Sequence, residues 1–527
     1  MLHPALRASG LALLLASLAA PGEAGAGGRT LPSAVARKFD LEGWSEIRSP
    51  LFEIASDADA ARVLQLAQQL STFIAALELV SNVPDFRPRL PLRIYLFGEQ
   101  ATFDVFSGRR AAGQLRPTPR GLFVLMSPDG LPAREILFHE YVHFLLRNAG
   151  GLSYPIWYDE GFAELLAGTR MHRDFITIGS IPELRVDTLR REELLPLEKV
   201  LSARSYAEIW DKVHVFYAQS WLLVHYLHAG DQLGYPKRHA QLLSFLAKLS
   251  ELGDWRAAWD ASFDVGPEGL EEELAGYRKR ILNGGLLPRL RIDVRRLALE
   301  LPGAPAPLAP AQVAFELGAL FLDGGEDGAR YAEKLFERAL ERDPGHAGAL
   351  AGLAQAHGLA GDLREAEALV ERAIGLAAAD PRVLSARGEI LFRRFASERE
   401  NDPEAARALL ERAREAYRRA IELAPEGPPG YLGLGKTYLE EEGDVAPGIA
   451  ALRRACALIQ SAQIDLQLGK LHLKAGEPGL ARVHLERVLR WSHGDEESEK
   501  EARALLAGLP AAAGDRAPAA DRCGGAV

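Results

Sequence analysis

Apolar positions along this chain change character three times. Over residues 11–20 (LALLLASLAA) they run almost unbroken. From about residue 31 to 285, compact apolar bursts alternate with longer stretches of helical periodicity. The bursts at residues 52–54, 92–97 and 122–126 are short and rich in aromatic or β-branched side chains, and they predict strands. Residues 61–79, 134–146 and 213–228 carry apolar residues at helical spacing and predict helices. Residues 302–310 (PGAPAPLAP) hold prolines that can neither continue a helix nor sit in a central strand, so this stretch predicts a linker.

Beyond the linker the pattern becomes helical and repetitive. Small residues recur at Ala332, Ala366, Ala413 and Ala481, each followed four residues later by a bulky one: Phe336, Val370, Tyr417 and Leu485. Seven residues after each comes Ala339, Ala373, Ala420 or Val488, and Pro344, Pro381 and Pro425 follow the first three units. Matching first helices carry Leu317-Gly318 with Phe321, Leu434-Gly435 with Tyr438, and Leu468-Gly469. Small residues let paired helices approach, large ones fill the groove, and proline ends the second helix. The pattern resembles the tetratricopeptide-repeat (TPR) family over residues 311–494, in about five units. An insertion at 396–402 and Gly448 in place of alanine depart from it. The array is expected over residues 311–508, able to fold by itself, with a tail rich in Ala, Gly, Pro and Asp at 509–527.

The N-terminal apolar run is too short to cross a bilayer. With Arg7 before it and Ala24-Gly25-Ala26 after it, residues 1–26 read as a signal peptide cleaved after Ala26. The mature chain is therefore expected to be exported, periplasmic or extracellular. No later run reaches about 18 consecutive apolar residues, so no stable membrane span is expected after cleavage. The 48% hydrophobic and 25% charged composition is that of a globular protein, which at 527 residues divides into two or three domains. A formal net charge of −10 argues against nucleic acid or anionic lipid as a partner. Cys456 and Cys523 lie in no metal-binding or nucleophile setting, and a tail cysteine makes a poor staple.

The chemistry-bearing segment is His139-Glu140-Tyr141-Val142-His143, an HExxH motif inside the helix expected at 134–146. At this spacing the two imidazoles stand about 40° apart and one turn apart on one helix face. That placement suits one Zn²⁺ with bonds of about 2 Å, with Glu140 beside it to take a proton from water. Fourteen residues after His143, Trp157-Tyr158-Asp159-Glu160-Gly161-Phe162-Ala163-Glu164 begins.

HExxH followed by Trp-x-x-Glu-Gly-x-Ala-Glu resembles the gluzincins, the zinc-peptidase class that includes thermolysin and the aminopeptidase N family. It is most similar to the peptidase-MA-like bacterial proteins, several of which carry TPR repeats. The resemblance covers residues 134 to about 227 and is specific only over the two motifs. It implies Glu160 as third metal ligand, leaving a fourth position open, and Glu164 as the support of the His139 imidazole. Asp159 competes as a ligand but faces away by about 100° if Glu160 points inward. The resemblance also implies an oxyanion donor on a later helix. His214, Tyr217 and His225 are the candidates, and Tyr217 leads because Tyr217-Ala218-Gln219-Ser220 is similar to the family's stretch there.

Two neighbouring classes fit less well. The metzincin positions for Gly and His are Leu146 and Ala149. The amine-capturing Gly-x-Met-Glu-Asn segment of the aminopeptidases has no counterpart in Gly121-Leu122-Phe123-Val124-Leu125, which suits an endopeptidase. That apolar stretch is expected to be an edge strand able to pair with an extended peptide. The expected architecture is an α+β thermolysin-like metallopeptidase domain over 27–300, a linker over 301–310 and an all-α TPR solenoid. The expected function is Zn²⁺-dependent peptide hydrolysis by Glu140 and Tyr217 on a His139, His143, Glu160 site, with a protein partner on the repeats. The alternative is a TPR scaffold whose peptidase-like domain binds zinc but is idle.

Overall fold

The computed structural model describes residues 39–81, 90–107, 113–118, 120–127, 133–148, 154–204, 206–440, 443–491 and 496–509. The expected signal peptide and all but Leu509 of the expected tail lie outside the described residues. Strands β1 (Ser45–Arg48), β2 (Phe52–Ser56), β3 (Leu92–Leu96), β4 (Gly113–Thr118) and β5 (Gly121–Met126) are followed by a short β6 (Arg170–Met171) and β7 (Phe175–Ile178). Strands β8 (Leu290–Asp293) and β9 (Ala306–Pro307) come much later. The main sheet has the order β4-β5-β3-β2-β1-β9, parallel across β2-β3-β5 and antiparallel elsewhere. The small sheet is β6-β7-β8.

Alternation along the strands sets the two faces of the main sheet. Ile54, Ile94 and Val124 lie in one cross-strand row, and Ala55, Tyr95 and Leu125 in the next. The first row faces helices α1 (Ala60–Ser81) and α3 (Ala133–Asn148), between which α2 (Gln100–Ser107) falls in the chain. Phe138 of α3 stacks on Phe73 of α1 with ring centroids 4.0 Å apart. Helix α1 is long and apolar enough to cross a membrane by length and composition. Its Val63, Ala67, Leu70, Phe73 and Ile74 are buried in this core, as in the core helix of a globular domain. Helices α4 (Ile156–Ala167), α5 (Glu183–Arg191), α6 (Leu197–Ser202), α7 (Val213–Ala229), α8 (His239–Leu252), α9 (Trp255–Asp260) and α10 (Pro267–Gly284) follow, and most of them build a second core around Trp157, Trp221 and Trp259.

Five helix pairs succeed one another after residue 309. They are α11 (Pro310–Leu322) with α12 (Gly325–Arg342), α13 (Ala347–Leu359) with α14 (Leu363–Leu376), α15 (Pro381–Glu398) with α16 (Pro403–Leu423), α17 (Pro428–Thr437) with α18 (Ala446–Leu458), and α19 (Ala462–Lys474) with α20 (Pro478–Trp491). A last helix, α21 (Glu496–Ala507), packs on the fifth pair through Ala502. The insertion at 396–402 lengthens the third pair to 18 and 21 residues, against 13 and 14 in the second. Pro381 opens α15 rather than closing α14, because a first-turn proline gives up an N–H that has no helical partner. Asp362, Asp380 and Asp402 cap their helices by accepting backbone N–H bonds. Cys456 is buried and disulfide-bonded, contrary to the expectation of no staple. The chain's other cysteine, Cys523, lies outside the described residues.

Two expectations are corrected here. The stretch Gly121–Met126 is not an edge strand: β3 and β4 flank it, and β4 is the edge. Nor is 301–310 a free tether, since Ala306 and Pro307 pair with Glu46 and Ser45 at the far edge, where a proline costs the sheet no internal bond. The second face of the sheet is then covered by the repeats. Tyr95, Phe97, Phe106, Phe123 and Leu125 share one core with Val313, Leu317, Leu320 and Phe336. Arg93 bridges Glu53 at 2.9 Å and also pairs with Glu316, while Arg120 meets Asp323 at 2.6 Å.

A chain ended at residue 301 therefore loses the cover of that face. Burial of each large apolar side chain stabilises by about 1.5–3 kcal/mol, so the deficit over five of them is as large as the whole margin of an ordinary domain. Such a fragment is expected to precipitate or melt without a cooperative transition by circular dichroism. A soluble, cooperatively melting fragment would contradict the shared core.

Candidate metal centre

Three helices assemble the site. Helix α3 is buried on nearly all sides by Ile136, Leu137, Phe138, Tyr141, Val142 and Phe144, which fixes the side that His139 and His143 present. Helix α4 crosses below it. Gly161 allows α4 to press against α7, since a Cβ at Gly161 would lie 2.4 Å from the Ser220 carbonyl oxygen. This approach carries Tyr217 of α7 under the histidines. Gly113 does the same for the edge strand: a Cβ there would lie 2.4 Å from Ile136 and 3.4 Å from Cγ of Glu140.

His139, His143 and Glu160 converge, with one ligand atom from each inside a 4.8 Å span and all three residues buried. The two Nε2 atoms are 3.0 Å apart, and Oε2 of Glu160 stands 3.3 Å from that of His139 and 3.5 Å from that of His143. Four-coordinate zinc with bonds of about 2.0–2.1 Å separates its ligand atoms by about 3.3 Å, so the triangle has the right size. Oε2 of Glu160 is buried and accepts no hydrogen bond, an arrangement costly for a carboxylate unless a cation meets it. The residues present fit a zinc ion.

The far sides of the ligands are held as well. Oε1 of Glu164 lies 3.5 Å from Nδ1 of His139, and the buried Arg185 of α5 donates to the same oxygen at 2.6 Å. Asp159 does not face away from the site: its Oδ1 is 3.3 Å from Nδ1 of His143. The 100° offset from Glu160 sends it beneath the second histidine, outside the converging triangle. Tyr206 donates its hydroxyl to Oε1 of Glu160. Glu140 is buried beside the triangle, and its Oε2 accepts the Leu115 N–H of β4 at 2.8 Å.

Electrostatics favour positive charge in this pocket. Burial works against a charged His143, yet Asp159 and Glu160 outweigh it and hold its pKa well above the ordinary imidazole value. Burial likewise opposes ionised Glu160, and the two histidines overcome it and hold its pKa well below the usual carboxylate range.

The oxyanion-donor candidates separate clearly. The Tyr217 ring is buried 6.3 Å from that of His139, with the Arg185 guanidinium 5.0 Å over its face. Burial, then Glu160, pushes its hydroxyl well above the phenol range, so it remains a donor. His214 is half-buried, and burial lowers its pKa. His225 is bonded to the Tyr277 hydroxyl at 2.6 Å and the Pro288 carbonyl at 3.0 Å, with burial pushing its pKa down to about 4. It is a structural residue. Arg185 and Tyr206 escaped the sequence reading, because nothing local marks an arginine or tyrosine that packing will bury against a carboxylate.

Against known proteins, residues 330–390 match the family model described as tetratricopeptide repeat. No curated protein matches the chain. Among solved structures, a thermophilic TPR protein of Thermus thermophilus is 24% identical over 37% of this chain and 99% of its own, with a TM-score of 0.34. Yeast Tom70 is 16% identical over 85% of this chain and 84% of its own, with a TM-score of 0.28. The MamA protein is 19% identical over 38% and 98%, with a TM-score of 0.24. The tetratricopeptide-repeat match runs from within α12 into α15, inside an all-helical array of successive pairs.

Proposed function

We propose that this chain is an exported zinc-dependent endopeptidase whose TPR repeats engage a protein partner. The observation that carries the reading is the buried triangle of His139, His143 and Glu160 with Glu140 beside it. A Zn²⁺ held there would polarise a scissile carbonyl and make water acidic enough to attack it. Glu140 takes the water proton and returns it to the leaving amine, steadied by the Leu115 N–H. Tyr217 donates to the oxyanion as the carbonyl carbon becomes tetrahedral. Among the described residues β4 is an edge of the sheet and runs beside Glu140, and an extended peptide would pair with its outward backbone groups other than the Leu115 N–H that Glu140 holds.

The second reading is a TPR scaffold with an idle zinc-binding domain. One observation favours it: His139, Glu140, His143 and Glu160 are 6%, 7%, 5% and 2% exposed, leaving little access. Metal analysis of the purified chain with a peptide-library cleavage screen separates the two. Zinc with chelator-sensitive cleavage supports the peptidase; zinc without cleavage of any peptide supports the scaffold.

Tyr217→Phe removes one oxygen and keeps the ring. Because an oxyanion bond exists only in the transition state, kcat is expected to fall about 10²–10³-fold with KM and zinc content unchanged. If Tyr217→Phe is silent and His214→Ala lowers kcat with zinc retained, the donor is His214 instead.

A further inference from the structure

Tyr206 opens a short 3₁₀ helix, Tyr206–Lys212, immediately before α7. Its ring packs half-buried at the margin of the tryptophan-rich core, and its hydroxyl donates to Oε1 of Glu160. The two oxygens of Glu160 are thus in different states. Oε1 carries a hydrogen bond, while Oε2 carries none and faces both imidazole Nε2 atoms at 3.3 and 3.5 Å.

We propose that Tyr206 is a positioning residue that holds Glu160 as a one-oxygen ligand and so tunes the site to a four-coordinate cation. The proposal rests on the zinc-site reading above. A carboxylate free at both oxygens can chelate through either or both, which suits larger, oxygen-seeking cations of higher coordination number. A donor on one oxygen fixes the terminal torsion and withdraws that oxygen from the metal. A phenol is a hydrogen-bond donor at neutral pH, so Tyr206 supplies the proton of this bond and Glu160 accepts it.

The test compares the full chain with Tyr206→Phe, which preserves the ring. Zinc affinity is read by chelator competition, and coordination by the visible absorption of the Co²⁺-loaded protein. Expected results are a 10–100-fold loss of zinc affinity, about the effect of removing a partner behind a metal ligand. The intense bands of four-coordinate Co²⁺ should weaken, with an unchanged Tm for the metal-free protein. Equal affinity and identical spectra overturn the proposal while leaving the metal site standing. A fall in the metal-free Tm that accompanies the loss of affinity, without a spectral change, assigns Tyr206 to packing and also overturns it. Wild-type protein that binds neither Zn²⁺ nor Co²⁺ removes the site reading and this proposal together.

Discussion

On the proposed zinc-peptidase reading, replacing Glu140 with alanine is expected to lower kcat about 10²–10⁴-fold while the protein keeps one zinc per chain. Glu140 stands beside the ligand triangle without belonging to it: the converging atoms come from His139, His143 and Glu160. Its Oε2 instead accepts a backbone N–H from β4. On that reading, removing the carboxylate deletes the proposed proton acceptor and spares the proposed metal ligands. The cost to folding is about 1–3 kcal/mol, because the Leu115 N–H loses a buried acceptor. Zinc analysis beside single-turnover peptide cleavage checks both halves. Loss of zinc along with activity would make Glu140 a structural carboxylate, and unchanged turnover would remove it from the mechanism.

His143→Ala should have the opposite signature, with zinc lost and stability reduced. The imidazole is the shared partner of two buried carboxylates, with Nδ1 on Asp159 and Nε2 near Glu160. Its removal takes from both carboxylates the imidazole they face. Breaking a buried pair in this way costs about 3–5 kcal/mol. The variant should therefore melt well below wild type even when both are stripped of metal, and further below it than Glu140→Ala does. Full zinc occupancy in His143→Ala would remove the ligand assignment.

Much of the local structure was legible in the sequence because it depends on local rules. The strands at 52–56, 92–96 and 121–126 and helices α1, α3 and α7 arise where apolar periodicity placed them, within a few residues. The four-residue spacing of His139 and His143 put both imidazoles on one helix face before any packing was known. Repeat spacing likewise located the TPR helix pairs, since each buries its apolar stripe mainly on its neighbours.

Tertiary structure decided what depends on distant partners. Whether 121–126 is an edge or an interior strand turns on where β4 lands, and the strand's own residues carry no record of that. Prolines at 302–310 exclude helix and central strand but not an edge, so a stretch read as a linker contributes β9 and leads into a shared core. At the metal centre, the 100° helical offset separated Asp159 from Glu160 correctly as angles. Only the crossing of α4 under α3 brought Asp159 beneath the second histidine. Arg185 and Tyr206 reach Glu164 and Glu160 from 21 and 46 residues away. Their roles come from the folded chain, because a hydrogen-bond donor acquires meaning only once burial denies its acceptor water.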